Sequence, residues 1–308
     1  MTASVFIDGE AGTTGLGIRE RLAHVKGIEI KSIDADKRKD PKGRQALMAE
    51  VDAVILCLPD DAAIEAVKLA DELGANAPRI LDASTAHRVA HGWVYGFAEL
   101  HPTQRDMIEG ARRVANPGCY PTGAIALIRP LVDAGFILPS YPITVNAVSG
   151  YSGGGKSMIE SYDAGTAPHF ELYGLGLAHK HLPELQNYAN LDQRPIFVPS
   201  VGNFKQGMLV SVPLYLDHLE GKPKAKDLHD AFVERYEGCA HVRVVPMTDA
   251  SMTSGRLEAE SLNNTDLLEL RIYANDSARQ AVLVAKLDNL GKGASGAAVQ
   301  NLKLMLGL

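Results

Sequence analysis

The chain is poor in cysteine, in aromatic residues and in long apolar runs, and each shortage excludes something. Three cysteines in 308 residues, Cys57, Cys119 and Cys239, are too few and too odd in number for a disulfide framework, and they suit a reducing compartment. No apolar run approaches the length of a membrane span. The N-terminus MTASVFIDGEAG has no basic region followed by an apolar core, so no secretory leader is expected there and a cytoplasmic location is. Net charge is -6 with no basic block, which argues against a nucleic-acid partner. No compact set of four His or Cys ligands suggests a zinc site, and no metal is expected. What remains is a hydrophobic content of 46% and a charged content of 22%, enough for a sizeable core and, at this length, for two domains.

The N-terminal third alternates strand and helix. Ser4 to Ile7 is a short apolar run, followed by Gly9, Gly12, Gly15 and Gly17 and then by Ile18, Leu22 and Val25 at helical spacing. A glycine-rich turn between strand and helix lets backbone N–H groups approach a pyrophosphate at the helix N-terminus. The spacing is GxxGxxG rather than GxGxxG, so a plain strand-to-helix turn stays open. Ile28 to Ile33 reads as the second strand. Asp34 lies nineteen residues past Gly15, where an acid would hold a ribose hydroxyl. Lys37, Arg38 and Lys39 follow and suit a 2′-phosphate, or simply a solvated turn.

Asp52 to Leu58 is a continuous apolar run closed by Pro59, a strand buried on both faces, with Cys57 as packing. Asp60 and Asp61 open a helix expected to turn Ile64, Val67 and Leu73 inward. Arg79 to Leu81 leads into DASTAHR, Asp82 to Arg88, where polar residues past a strand end can meet a ligand; Arg88 is either an anion-binding or a surface residue. Arg112 to Ala115 is a last strand. These repeated units imply a Rossmann-type, doubly wound parallel sheet in an α/β chain.

Next comes NPGCYPTGA, Asn116 to Ala124. Pro117 and Gly118 stop the preceding element, and Pro121 or Thr122 can open a helix. Cys119 therefore stands at or just before a helix N-terminus, where unpaired N–H groups favour a thiolate, the form that attacks carbonyl carbon. A small buried hydrophobe is the other reading.

Beyond Pro139 the candidate strands are Tyr141 to Val148, Pro195 to Val201, Met208 to Leu216, Val242 to Val245, Leu267 to Tyr273 and Gln280 to Leu287, the last two a hairpin. An α+β domain with a mixed or antiparallel sheet is expected, its exposed face favouring a homo-oligomer. Gly291 to Leu308 ends in a helix bearing Val299, Leu302 and Leu306.

Gly150 to Ser157 within SGYSGGGKS fits the P-loop pattern. Against an ATP site, the only apolar strand ending in Asp, Met208 to Asp217, contains Pro213. Backbone N–H groups with Lys156 would still hold a phosphate or carboxylate. In AHKHLPEL, His179 and His181 flank Lys180, and either could serve as acid or base, or be solvated.

Together the Gly9–Gly15 turn, DASTAHR, NPGCYPTGA, VSGYSGGGK, HKHLPEL and NLGKGASGAAVQN resemble N-acetyl-γ-glutamyl-phosphate reductase in its shorter form. The longer enzymes usually carry Arg between the two His, where Lys180 stands here. The resemblance implies a Rossmann domain at 1–117, a catalytic and oligomerisation domain at 118–287, and a C-terminal helix at 288–308 that returns to the first. It implies NADP(H), an acyl-phosphate substrate with release of phosphate, and a homodimer or homotetramer in arginine biosynthesis. It implies Cys119 as nucleophile with His179 and His181, and Gly9, Gly12, Thr13, Thr14, Gly15, Arg38, Ser84, Asn289 and Gly293 at the cofactor. Arg88, Asn116, Ser149, Gly150, Ser152, Gly153 and Lys156 would meet the substrate. Aspartate-semialdehyde dehydrogenase, a P-loop ATPase or kinase, and a non-catalytic dinucleotide sensor are the competing readings.

Overall fold

A computed structural model describes residues 2–249, 252 and 254–308. The chain divides into two units, the first comprising Met1–Ala98, Pro102–Pro117 and Ala294–Leu308, the second Glu99–His101 and Gly118–Gly293. Residues 288–293 thus go with the second unit, and only 294–308 with the first.

In the first unit, β1 (Ala3–Asp8), β2 (Ile28–Lys31), β3 (Ala53–Leu56), β4 (Arg79–Asp82), β5 (Val94–Tyr95) and β6 (Arg113–Ala115) form one parallel sheet in the order β2-β1-β3-β4-β6-β5. The central strand β3, AVIL, is apolar and buried at every position because both faces are covered. Val5, Ile7, Ala53, Ile55 and Leu81 point to one face, against α1 (Thr13–Leu22), α4 (Gln104–Gly110) and α9 (Gly296–Leu306). Phe6, Val54, Leu56 and Ile80 point to the other, against α2 (Pro41–Met48) and α3 (Asp60–Asp71).

Two details differ from the sequence reading. Helix α3 buries Ala63, Ala66, Val67 and Ala70, while Ile64 is 40% exposed. Small residues let this helix lie close to the sheet, so the inward stripe follows the alanines rather than the largest apolar residue. Helices α2 and α4 and the two-residue β5 also had no clear periodic signal.

Strand order reverses between β1 and β3, the place in such parallel sheets where ligands gather at the strands' carboxyl ends. There Asp8 and Arg44 form a buried pair, with Arg44 Nε and Nη2 donating to Oδ2 at 2.9 and 2.7 Å. Burial raises the Asp8 pKa more than the guanidinium lowers it.

In the second unit, β7 (Thr144–Gly150), β8 (Phe170–Leu172), β9 (Ile196–Gly202), β10 (Met208–Tyr215), β11 (Val242–Val244), β12 (Leu268–Asn275) and β13 (Gln280–Leu287) form a mixed sheet in the order β11-β12-β13-β10-β7-β9-β8. The hairpin is present as expected, with Asn275 opposite Gln280. Pro213 is tolerated in β10 because the β7 ladder ends at Ser211, so its missing N–H faces no acceptor there. One sheet face packs on α5 (Cys119–Asp133), with α7 (Leu182–Tyr188) and α8 (Ala225–Tyr236) against that helix. Helix α6 (Lys156–Asp163) follows the glycine-rich loop after β7. The opposite sheet face carries an apolar groove of about 540 Å³ lined by Val148, Leu172, Leu209, Tyr273, Val282 and Val284 among others. No helix among the described residues is long and apolar enough to cross a membrane.

The Asp8–Arg44 pair makes a stability prediction. Arg44→Met strands a buried carboxylate and should cost about 3–5 kcal/mol by denaturant unfolding near neutral pH. Because the orphaned Asp8 has a raised pKa, the loss should shrink as pH falls and the carboxyl takes a proton. A loss independent of pH would contradict this account.

Candidate active site

Cys119 is the first residue of α5, and Gly118 is its N-cap in extended conformation, φ -73° and ψ 153°. The helix starts two to three residues earlier than Pro121 or Thr122. No side chain caps it and its first turn has no acid, so the positive end of the dipole acts on the half-buried thiol. Cys57 is the contrast: burial pushes its thiol up to about 12, the behaviour of a packing residue.

Around Tyr120, the residue after Cys119, the second unit assembles an aromatic and imidazole cluster. The His179 and His181 rings lie 4.7 Å apart between centroids, and Tyr120 lies 6.3 and 6.2 Å from them. The His181 backbone N–H donates to His179 Nδ1 at 3.2 Å, which leaves the neutral His179 ring carrying its proton on Nε2. Burial and then the Lys180 charge hold the His179 pKa below its ordinary value. Tyr120 donates to the Ser200 carbonyl at 3.0 Å and receives the Tyr173 hydroxyl at 3.0 Å. Burial raises the pKa of both phenols, Tyr173 to about 12, and a charge on Cys119 adds to the rise in each. Both phenols therefore stay protonated donors beside the sulfur.

Tyr120, Tyr173 and Glu184 were not singled out from sequence. Glu184 is buried, and its Oε2 accepts the Gly118 N–H at 3.1 Å. It stands three residues past His181, the N-cap of α7, a capping-box spacing that suggests service to its own helix. The carboxylate instead holds the turn in front of Cys119.

Gly293 lies directly on the nucleophile candidate: a Cβ there would sit 2.9 Å from Cys119 Cβ and 3.1 Å from the Asp288 carbonyl oxygen. Asn289, expected at the cofactor, is buried with both ends of its amide committed inside the second unit. Oδ1 accepts from Gly207 N at 2.8 Å, and Nδ2 donates to Ser152 Oγ at 3.0 Å. Gly150 is glycine because a Cβ would meet the backbone of Lys205 and Gln206 at 2.6–2.7 Å. Ser149 and Ser152 are buried, and Gly153 abuts Ser149 Oγ. Lys156 opens α6, but its side chain is 86% exposed, 3.7 Å from Glu160. The glycine-rich loop is thus partly a packing device, with a solvated cation at its end.

In the first unit, Gly9 has φ +88°, and a Cβ there would run into the Cys57 carbonyl oxygen. Gly12, the N-cap of α1, is different: a Cβ would find nothing nearer than 3.4 Å in the protein. Packing does not require glycine there, whereas a group approaching the uncapped N–H groups of Thr13, Thr14 and Gly15 would. This turn fits a dinucleotide pyrophosphate. Arg38 is exposed. Ser84 is held by Asp82, which accepts from Ser84 N, Ser84 Oγ and His87 Nδ1 at 2.9, 2.7 and 2.6 Å.

Arg88 and Asn116 are buried framework. Arg88 Nε donates to the Asn116 carbonyl at 3.0 Å. The Asn116 amide meets Ala294 O and Asn301 Nδ2, both at 3.1 Å. Among the described residues no group of three His, Cys, Asp or Glu could hold a metal ion.

The semialdehyde dehydrogenase dimerisation domain matches residues 119–289. The chain is 53% identical to N-acetyl-gamma-glutamyl-phosphate reductase from Brucella ovis, covering 100% of both chains. It is 51% identical to N-acetyl-gamma-glutamyl-phosphate reductase 2 from Nostoc sp., over 99% of this chain and 97% of that protein. Its fold matches aspartate semialdehyde dehydrogenase II from Vibrio cholerae with a TM-score of 0.75 at 15% identity, covering 100% and 99% of the two chains. It also matches aspartate semialdehyde dehydrogenase with NADP from Candida albicans, with a TM-score of 0.67 at 14% identity over 99% of each. The chain belongs to the N-acetyl-gamma-glutamyl-phosphate reductase family, oxidoreductases with the semialdehyde dehydrogenase fold.

Proposed function

We propose that the enzyme reduces N-acetyl-L-glutamyl 5-phosphate to N-acetyl-L-glutamate 5-semialdehyde and phosphate, in arginine biosynthesis, with Cys119 as nucleophile and NADPH as reductant. The observation that carries this reading is Cys119 as the first residue of α5, whose own first turn bears no acid and whose N-cap amide is held by Glu184 from the helix that begins at His181. Full-length relatives bear this reductase name, and a neighbour of the same fold is described with NADP.

The Cys119 thiolate attacks the acyl phosphate carbon, the C–O bond to phosphate breaks, and a thioester forms on sulfur. The α5 N–H groups stabilise the negative charge that develops on the carbonyl oxygen. NADPH, when bound at the Gly9–Gly15 turn, would supply the hydride that reduces the thioester. The imidazole pair delivers a proton to the resulting oxygen and takes it back as the C–S bond breaks, which releases the aldehyde and restores the thiolate. His179, neutral with its proton on Nε2, is suited to that donation. Lys156 offers charge to the substrate's anionic ends, while the loop N–H groups of Gly150, Tyr151, Ser152 and Gly155 are held by carbonyls of the protein. Gly9, Gly12, Thr13, Thr14 and Gly15 would hold the pyrophosphate, with Arg38 for a 2′-phosphate.

The enzyme works as a homo-oligomer through the apolar face of the second unit's sheet. The matched dimerisation domain covers that sheet, and Phe170, Leu172, Ile196 and Val282 are exposed on its strands.

Three outcomes test this reading. Cys119→Ser should lower the phosphate-dependent oxidation of the semialdehyde by about 10³-fold or more, with NADPH binding by fluorescence titration unchanged; near-normal turnover would refute the nucleophile. The same assay on aspartate semialdehyde should show the poorer kcat/KM, and the reverse ranking would transfer the enzyme to the aspartate branch. In an NMR titration the His179 imidazole should titrate below the ordinary histidine value, and Lys180→Gln should move that midpoint up, because one of its two depressing causes is gone. For the assembly, Val282→Glu should shift the sedimenting species toward monomer at micromolar concentration, and an unchanged mass would sink the proposed face.

A further inference from the structure

A buried ion pair stands one residue from the glycine that packs on Cys119, and the chemistry above does not use it. Lys292 Nζ lies 2.7 Å from Glu99 Oε2, and the two side chains are only 2% and 6% exposed. Taking two charges out of water is costly, so such a pair adds little stability over an apolar pair of similar volume, and its fixed geometry is the feature that an apolar pair would lack.

Both ends of this pair are anchored inside the second unit. On one side, Arg235 Nη1 donates to the Leu100 carbonyl at 2.7 Å, next to Glu99, and Arg235 Nη2 holds Asp133 at 2.6 Å. On the other side, Lys292 belongs to the tight turn 288–293. That turn starts at Asp288, whose carboxylate accepts from Gln206 Nε2 at 2.6 Å, Asn264 N at 2.8 Å and Leu290 N at 2.9 Å. It closes with Gly293 N donating to the Asp288 carbonyl at 3.0 Å. From Gly291 to Ser295 the backbone is π-helical, a winding that needs local support.

We propose that Lys292 and Glu99 are positioning residues: their ion pair clamps the 288–293 turn so that Gly293 forms a fixed wall against Cys119 and holds its sulfur in the attacking position. The inference rests on Cys119 being the nucleophile. A Cβ at position 293 would overlap Cys119 Cβ, so the glycine backbone bounds the cysteine side chain, and it does so only while it does not move. Asp288 fixes the start of the turn, and Lys292 fixes the end that touches the cysteine. A displacement of about 1 Å at a reacting atom costs on the order of 10²-fold in rate.

Lys292→Met, in the full chain, is expected to lower kcat about tenfold or more. The KM for the semialdehyde and the dissociation constant for NADPH should each stay within about twofold, the pattern of a group that does not bind substrate. The rate of iodoacetamide alkylation at Cys119, followed by mass mapping of its peptide at fixed pH, should change with kcat, since it reads the thiol without cofactor or substrate. Glu99→Gln, which keeps the volume and one hydrogen bond, should move the same quantities in the same direction by less, and it serves if Lys292→Met does not fold. An unchanged kcat in either folded variant overturns the proposal. So does a lowered kcat with unaltered Cys119 alkylation, or an effect confined to KM or NADPH binding, which would place the ammonium on a ligand. Near-normal turnover by Cys119→Ser would instead remove the nucleophile itself, and that result is read in a separate protein.

Discussion

The Glu184 carboxylate on the Gly118 amide is the interaction on which the site depends. It joins two segments that are distant in sequence, the turn before Cys119 and the short helix after His181. A helix beginning at a cysteine leaves the thiol's backbone free to wander unless something defines the N-cap. Here a buried acid from α7 does so, and the same helix start carries His181. The position of the imidazoles relative to the sulfur therefore depends on one hydrogen bond rather than on loop packing alone. The acid sits behind the cap rather than inside the first turn of α5, so it fixes geometry while leaving the turn's own N–H groups available.

Much of the architecture is legible in sequence because the two units obey different periodicities. The apolar run DAVILCLP reads as a two-sided buried strand, and Val54 and Ile55 do face opposite cores. The strands beyond Pro139 read as a mixed or antiparallel sheet with an exposed face, and the sheet is mixed and carries an apolar groove. Ile64 misled because side-chain size was taken as a sign of burial, when close helix–sheet approach selected alanine. The helix Pro41–Met48 was hidden by its polar composition, and its one decisive inward residue is Arg44, whose role appears only once Asp8 is opposite it.

The site was legible in its chemistry but not in its scaffolding. Cys119 and the two histidines stand out as residue types with a reason to be where they are. Asn116, Asn289 and Arg88 also look reactive in sequence, yet their polar atoms meet backbone carbonyls and amides of their own unit. Buried amides and guanidinium groups with such partners hold loops in place, and no local pattern separates that task from ligand binding. Glu184, Tyr120 and Tyr173 act through pairings between distant segments, which spacing along one chain does not reveal.

The place of the tail helix has a consequence for biosynthesis. Ala298, Leu302, Leu304 and Met305 are built into the same core as Val5, Ile7 and Ile55, and Arg79 donates to the Met305 carbonyl. The sheet whose strands leave the ribosome first therefore stays incompletely covered on the α1 and α4 face until residues 294–308 have been translated, while residues 118–293 are all made earlier. The nascent chain must hold an uncovered apolar surface through most of its synthesis, so chaperone demand falls on the beginning of the polypeptide although the missing piece comes from its end.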